Sequence, residues 1–234
     1  LLVAVDGESA AEMSFDDLSD RVKGEPGSEV TLTILREGVQ QKYTLQREEV
    51  QTPGVKAQML EGNIGLIRIE SFAKNVDQEF SQKLQQLLDD GAQALVFDVR
   101  FNPGGFVDVL VNMLDELLPK GTVISITDKA GESTTYSSDE ECVKLPMAVL
   151  CNEYSISAAE FFAASLQEYG VATVVGEHTL GKGYAQTMIP LTGGGALNLS
   201  TSRYYTAKGV SLAGVGITPD VESSLSEDKL NRFY

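Results

Sequence analysis

The chain has 234 residues, 42% of them apolar, with 18 Lys+Arg against 34 Asp+Glu, a formal net charge of −16 and a single histidine. That length can bury a substantial core, as one large domain or one and a fraction. The acidic balance excludes a nucleic-acid backbone as partner, because no basic patch is present to release counterions. No run of 18 apolar residues exists to span a bilayer, and no acidic spacing resembles a calcium loop.

In chain order, Leu1-Leu-Val-Ala-Val5 reads as a strand and Asp6-Gly7 as a turn. Ser14 then caps a helix over 15–23, with Asp16 and Asp17 favourably placed in its first turn and Gly24 ending it. Two strands, 30–35 and 41–45, are joined by Arg36-Glu-Gly-Val-Gln40. Residues 1–50 thus form a small unit with little core of its own, and a polar stretch ending in Pro53-Gly54 places a linker at 51–56. The main domain, 57–222, alternates strand and helix signals, which predicts a layered α/β architecture. Strands are expected at 55–60, 64–70, 93–99, 121–127, 147–151, 172–176, 185–190 and 196–203, and helices at 75–90, 107–118 and 157–169. Val76, Phe80, Leu84, Leu87 and Leu88 recur at helical spacing, so one face of the first of these helices packs on a sheet. The continuous apolar runs 94–97 and 147–150 predict strands covered by helices on both faces. Residues 223–234 form a polar tail. Cys142 and Cys151 are too few for a disulfide framework; Cys151, closing an apolar run, reads as a buried free thiol, with a single bridge in an oxidising compartment as the alternative.

Sites in open α/β sheets collect at the carboxyl ends of strands. Three loops qualify here: Arg100-Phe-Asn-Pro-Gly104-Gly105, Asn152-Glu-Tyr-Ser-Ile-Ser157, and Gly176-Glu-His-Thr-Leu-Gly181-Lys182-Gly183. Ser157 opens a helix, and Ser157-Ala-Ala-Glu160 also fits a capping box. The two roles are compatible, because a helix start aims amides at an anion formed nearby. The Ala158 amide, with one from Gly104 or Gly105, gives a two-donor oxyanion hole; losing one such donor costs about 3–4 kcal/mol. Ser155 is the rival nucleophile. Lys182, beside Gly181 and Gly183, must be neutral to take the serine proton. An ordinary lysine titrates at about 10.4, so working near neutrality requires a preference for the neutral amine of about 4 kcal/mol, which apolar burial can supply. If 182–186 is extended, Lys182 and Gln186 share a face, and Gln186 orients the amine without adding charge. His178 reads as a surface loop residue, since no Gly-x-Ser-x-Gly elbow accompanies a Ser-His-Asp arrangement. Asp98 and Arg100 pair with each other or brace their loop.

These segments, in order, carry a resemblance. Asp98-Val-Arg-Phe-Asn-Pro-Gly104-Gly105, Asn152 through Glu160, Gly176 through Gln186, and Ser202-Arg-Tyr-Tyr205 through Gly214-Val-Gly-Ile-Thr-Pro219-Asp220 resemble the carboxyl-terminal processing proteases of the S41 class, with nucleophile and base 25 residues apart. Residues 1–47, with Val5-Asp6-Gly7 and Gly27-Ser-Glu-Val-Thr-Leu, resemble the latter part of the PDZ domain those proteases carry; its front half, with the carboxylate-binding loop, is not in this sequence. The resemblance implies a ClpP/crotonase-like α/β protease core preceded by a partial PDZ-like α+β unit. It implies Ser157 as nucleophile, Lys182 as base, Gln186 as orienter, and an oxyanion hole from Gly104, Gly105 and Ala158. It further implies no metal or cofactor, protein substrates with exposed, often apolar, C-termini, and a bacterial, extracytoplasmic setting, and leaves homo-oligomerisation open. Glu153, Tyr154 and Ile156 replace smaller residues and Ala159 a serine of the family pattern, which predicts a narrowed pocket. A decayed, peptide-binding scaffold of the same fold is the alternative that these residues motivate. An acyl-CoA enzyme with a similar glycine-lined hole needs a basic nucleotide pocket, and no Lys/Arg cluster supplies one.

Overall fold

The computed structural model describes residues 1–48 and 53–225; residues 51–52 of the expected linker and 226–234 of the expected tail lie outside the described residues. The chain packs as two compact units, Leu1–Thr52 and Pro53–Tyr234.

The first unit contains β1 (Leu2–Val5), β2 (Glu8–Ser9), α1 (Phe15–Val22), β3 (Glu29–Arg36) and β4 (Val39–Gln46), with sheet order β2-β1-β3-β4. Ser14 caps α1 as expected, its Oγ accepting the Asp17 amide at 3.1 Å. The β3–β4 turn is tighter than the sequence suggested. Glu37 (φ 52°) and Gly38 (φ 80°) are both left-handed, the two-residue hairpin turn whose twist matches the flanking strands. Among the described residues of this unit only Val5, Val30 and Thr33 are buried, and every residue of β4 is exposed.

The second unit is a mixed α/β body. Its central sheet comprises β5 (Val55–Leu60), β6 (Ile64–Ile69), β7 (Ala94–Asp98), β10 (Met147–Cys151), β11 (Ala172–Gly176) and β14 (Val221–Glu222), in the order β14-β11-β10-β7-β6-β5. β6, β7, β10, β11 and β14 run parallel and β5 is antiparallel at the edge. Three helices, α2 (Val76–Asp89), α3 (Val107–Asp115) and α4 (Ala158–Glu168), pack their apolar faces into one core around Phe72, Phe80, Phe97 and Phe162. Phe97 meets Phe162 edge-on with centroids 5.6 Å apart, and Phe80 and Phe72 extend the stack. The faces of the central sheet are not covered alike, contrary to expectation: along β7 and β10 fully buried residues alternate with half-buried ones, so only one face is sealed.

A second, antiparallel sheet has the order β12-β13-β8-β9, from β8 (Gly121–Asp128), β9 (Ser133–Ser138), β12 (Tyr184–Pro190) and β13 (Ala196–Thr206). The sequence reading lacked β9 because Ser-Thr-Thr-Tyr-Ser-Ser has no apolar alternation. What holds it is the antiparallel backbone ladder to β8, with hydroxyl pairs added across it, Ser125 with Thr135 at 3.1 Å and Thr127 with Ser133 at 2.7 Å. Asp128 forms the turn by accepting the Ala130 and Glu132 amides. α3 ends at Asp115 rather than 118, although Leu117 and Leu118 stay fully buried.

Candidate active site

The parallel register sets Leu150 beside Asp98 and Cys151 beside Gly176, so three strands end at one level and deliver three loops to one side of the sheet. Polar side chains lock the first two loops together. Asp98 receives a two-pronged contact from Arg100, 2.9 and 2.7 Å, as one of the two expected roles for that pair. Asn152 Oδ1 accepts the amides of Phe101 (3.0 Å) and Tyr154 (3.2 Å). Ser155, fully buried, donates to the Val99 carbonyl at 2.8 Å and accepts the Asn152 amide. That makes Ser155 a strut between strand ends and removes it as a rival nucleophile.

Ser157 adopts φ 58°, ψ −116°, a region that side-chain-bearing residues rarely occupy and that costs about 1–3 kcal/mol. The surrounding structure holds it there: its amide donates to Glu160 Oε2 at 2.9 Å, and its carbonyl accepts the Glu160 amide. Ser157 thus sits on a sharp turn from β10 into α4, although the glycine-flanked sequence signature of such a turn is absent. α4 itself is buried over Ala158 to Leu166.

Glu160 is the residue whose importance the sequence underplayed. It is fully buried and forms no ion pair among the described residues. Four donors satisfy its carboxylate: Thr179 Oγ1 (2.6 Å) and the Gly181 amide (2.6 Å) on Oε1, the Ser157 amide (2.9 Å) and the Lys182 amide (2.8 Å) on Oε2. Dipolar donors thus hold a buried charge, with the start of α4 adding its own positive end. One oxygen ties the backbone of Ser157 to that of Lys182. The only sequence signal was the Ser-x-x-Glu spacing, which reads as a cap and nothing more.

The glycine loop lies against the same turn. A side chain on Gly104 (φ 91°) would sit 2.7 Å from the Ile156 carbonyl and 2.9 Å from Ser157 Cβ, so only glycine allows this approach. The Gly104 amide donates to Asn102 Oδ1 at 2.8 Å. The amides of Gly105 and Ala158 have no protein acceptor among the described residues.

A cleft of about 490 Å³ is lined by Pro103, Gly104, Gly105, Phe106, Val107, Ser157, Lys182, Tyr184, Gln186 and Tyr204. Lys182, Tyr184 and Gln186 alternate along one face of the chain entering β12. No hydrogen bond joins Ser157 to Lys182, and the Lys182 amine has no ion-pair partner among the described residues. Lys182 is exposed, not sequestered in an apolar site as the sequence argument required. Gln186 faces Asn198, whose Nδ2 reaches its Oε1 at 3.4 Å, rather than the lysine.

Glu153, Tyr154 and Ile156 do not line the cleft. Tyr154 stacks on Phe101, centroids 5.4 Å apart and 13° from parallel, so the expected narrowing does not occur. His178 is exposed, with Nε2 2.7 Å from the Val215 carbonyl. Both cysteines are free. Burial pushes the Cys151 thiol up to about 11, and its Sγ donates to the Glu177 carbonyl. Among the described residues no group of His, Cys, Asp or Glu is placed to hold a metal ion, and no helix is long and apolar enough to cross a membrane.

The sequence profile of peptidase family S41 matches residues 63–223. A carboxy-terminal-processing protease of Bartonella bacilliformis is 33% identical over 227 residues, covering 93% of this chain and 52% of that protein. A carboxyl-terminal-processing protease of Synechocystis is 31% identical over 226 residues, covering 94% and 53%. The chain spans about half the length of the curated relatives it matches. Among solved structures, the photosystem II D1 C-terminal processing protease superposes with a TM-score of 0.68 at 29% identity, over 95% of this chain and 62% of that one. Mature CPAF, at 15% identity and a TM-score of 0.59 over 94% and 71%, shares the fold.

Proposed function

The chain belongs to peptidase family S41, and we propose that it is a serine endopeptidase acting through Ser157 with Lys182 as general base. The observation that carries this reading is the pairing of Ser157 and Lys182 on one cleft, their amides sharing one oxygen of Glu160. Ser157 Oγ attacks the scissile carbonyl carbon while its proton passes to the neutral Lys182 amine. Negative charge develops on the former carbonyl oxygen, where the Gly105 and Ala158 amides receive it. Collapse breaks the C–N bond, and the lysine ammonium returns its proton to the departing amine. Water, deprotonated by the same lysine, then attacks the acyl-serine; collapse breaks the bond from the acyl carbon to Ser157 Oγ, the lysine ammonium returns its proton to that oxygen, and the new C-terminus is released. No step calls for a metal or cofactor.

Exposure of Lys182 assigns a task to the substrate. An extended chain across the cleft displaces water from the amine and favours its neutral form, so binding itself activates the base. Gln186 then turns from Asn198 toward the amine to direct it. The aromatic lining from Phe106, Tyr184 and Tyr204 suits apolar side chains, which supports cleavage near exposed apolar C-termini. Residues 1–50 are read as the latter part of a PDZ-like unit, and the protein as working outside the bacterial cytoplasm.

The test is mass spectrometry of apolar-tailed peptides incubated with the purified chain, its Ser157→Ala variant and its Lys182→Ala variant. Cleavage by wild type alone is the expected result; cleavage retained by either variant rejects the assignment.

A further inference from the structure

One buried residue in the glycine loop takes no part in the chemistry above. Asn102 is fully buried, and its polar groups reach three different parts of the site. Its Nδ2 donates to the Ile69 carbonyl at the end of β6 (2.8 Å), its Oδ1 accepts the Gly104 amide (2.8 Å), and its own carbonyl accepts the Ile156 amide (2.9 Å). Ile156 immediately precedes Ser157, so one residue joins the sheet, the glycine turn and the nucleophile turn.

The backbone of Phe72 completes this arrangement. Its N–H donates to the Gly104 carbonyl at 2.9 Å and its carbonyl accepts the Phe106 amide at 2.8 Å, a parallel bridge centred on Gly105. In such a bridge the N–H of the central residue points away from its partner. Gly105 alone tolerates the position, since a Cβ there would lie 2.2 Å from the Phe72 carbonyl oxygen. Of the two adjacent glycine amides, one is consumed by Asn102 and the other is left with no protein acceptor among the described residues.

We propose that Asn102 is the positioning residue of the oxyanion hole. By engaging the Gly104 amide and anchoring Ile156, it selects Gly105 as the loop's donor and fixes the distance from that donor to the Ala158 amide. The inference rests on the acyl-transfer reading above. An Asx turn that only shapes the loop is the competing explanation, and it predicts a loss of stability without selective loss of transition-state binding.

The experiment compares wild type, Asn102→Leu and Asn102→Asp by steady-state cleavage of a peptide and by affinity for a peptide boronate, which forms a tetrahedral adduct on a serine. Asn102→Leu keeps the volume and removes both polar atoms. It should lower kcat about 100-fold, the range for one oxyanion donor, with KM within about threefold and boronate affinity falling in parallel with kcat. Asn102→Asp keeps an acceptor for Gly104 and, as the neutral acid that burial beside the Ile69 carbonyl favours, a donor to Ile69, and should retain kcat and boronate affinity within about tenfold. Wild-type kcat in a folded Asn102→Leu overturns the inference, as does a loss of the same size in Asn102→Asp. Should Asn102→Leu fail to fold, the boronate affinity of Asn102→Asp decides alone: near wild type supports the inference, and a loss of about 100-fold overturns it. A wild-type protein that neither cleaves peptide nor takes the boronate rejects the acyl-transfer reading itself, and the inference with it.

Discussion

Two neighbouring regions of the second unit are built on opposite principles. α4, which starts at the candidate nucleophile, has nine of its eleven residues buried. β12, which follows the candidate base, has six of its seven exposed. Attack by a serine oxygen is directional, so its carrier gains from an immobile core and a strained turn held by Glu160. A lysine amine on a four-carbon stem reaches its partner from many positions, and its carrier can remain at the surface. What fixes the spacing of the two is the shared carboxylate, not the lysine side chain.

The contrast can be broken most strongly at the proposed nucleophile. Ser157→Ala should lower kcat by about 10⁴-fold or more. Ser157→Gly should be equally inactive yet melt higher than Ser157→Ala, because glycine relieves a φ of 58° at a gain of about 1 kcal/mol. Equal melting temperatures for the two would show that the turn stores no strain. On the side of the proposed base, Lys182→Ala should lose about 10³-fold or more in kcat while its melting temperature stays within about 2 °C of wild type, since the side chain is exposed and has no ion-pair partner among the described residues. A large loss of stability would mean the amine has a structural partner.

Glu160→Gln tests the link between the regions. The side-chain nitrogen must face N–H donors in place of an oxygen, which should cost about 3 kcal/mol or more in urea unfolding and lower activity with it. Loss of activity without loss of stability would contradict the shared-carboxylate account. A smaller effect concerns Cys151, at the end of the strand feeding the nucleophile loop. Its folded-state pKa of about 11 lies above that of a free thiol. Its contribution is therefore intact below the unfolded value and declines as pH rises from about 9 to 11, by on the order of 2–3 kcal/mol. Cys151→Ser should flatten the urea-unfolding profile over that range. In native protein at pH 8 a thiol reagent should modify Cys142, which is partly exposed, well before Cys151. The smallest change is expected for Gln186→Ala: kcat reduced severalfold, stability within about 0.5 kcal/mol.

Much of this was visible along the chain. Apolar spacing at Val76, Phe80, Leu84 and Leu87 gave α2 its buried face, and three loops, two of them glycine-rich, marked strand ends that the parallel register then aligned. β9 was invisible because it is held by pairing with β8, a partner that periodicity within one segment cannot reveal. The half-open sheet was equally hidden, since an apolar run does not say what lies over it. At the site, Glu160 looked like a cap because only one of its four bonds, from the Ser157 amide, is local; the other three come from Thr179, Gly181 and Lys182, about twenty residues away.

The sequence determined which residues could do chemistry, and in what order along the chain they came, because residue type and local spacing are properties of neighbours. Tertiary structure alone decided which amide of the glycine pair was left without an acceptor among the described residues, that Lys182 stands in solvent, and that a buried carboxylate joins Ser157 to Lys182. Those outcomes depend on hydrogen-bond donors and packing surfaces brought together from distant segments, and a linear pattern holds no record of their distances.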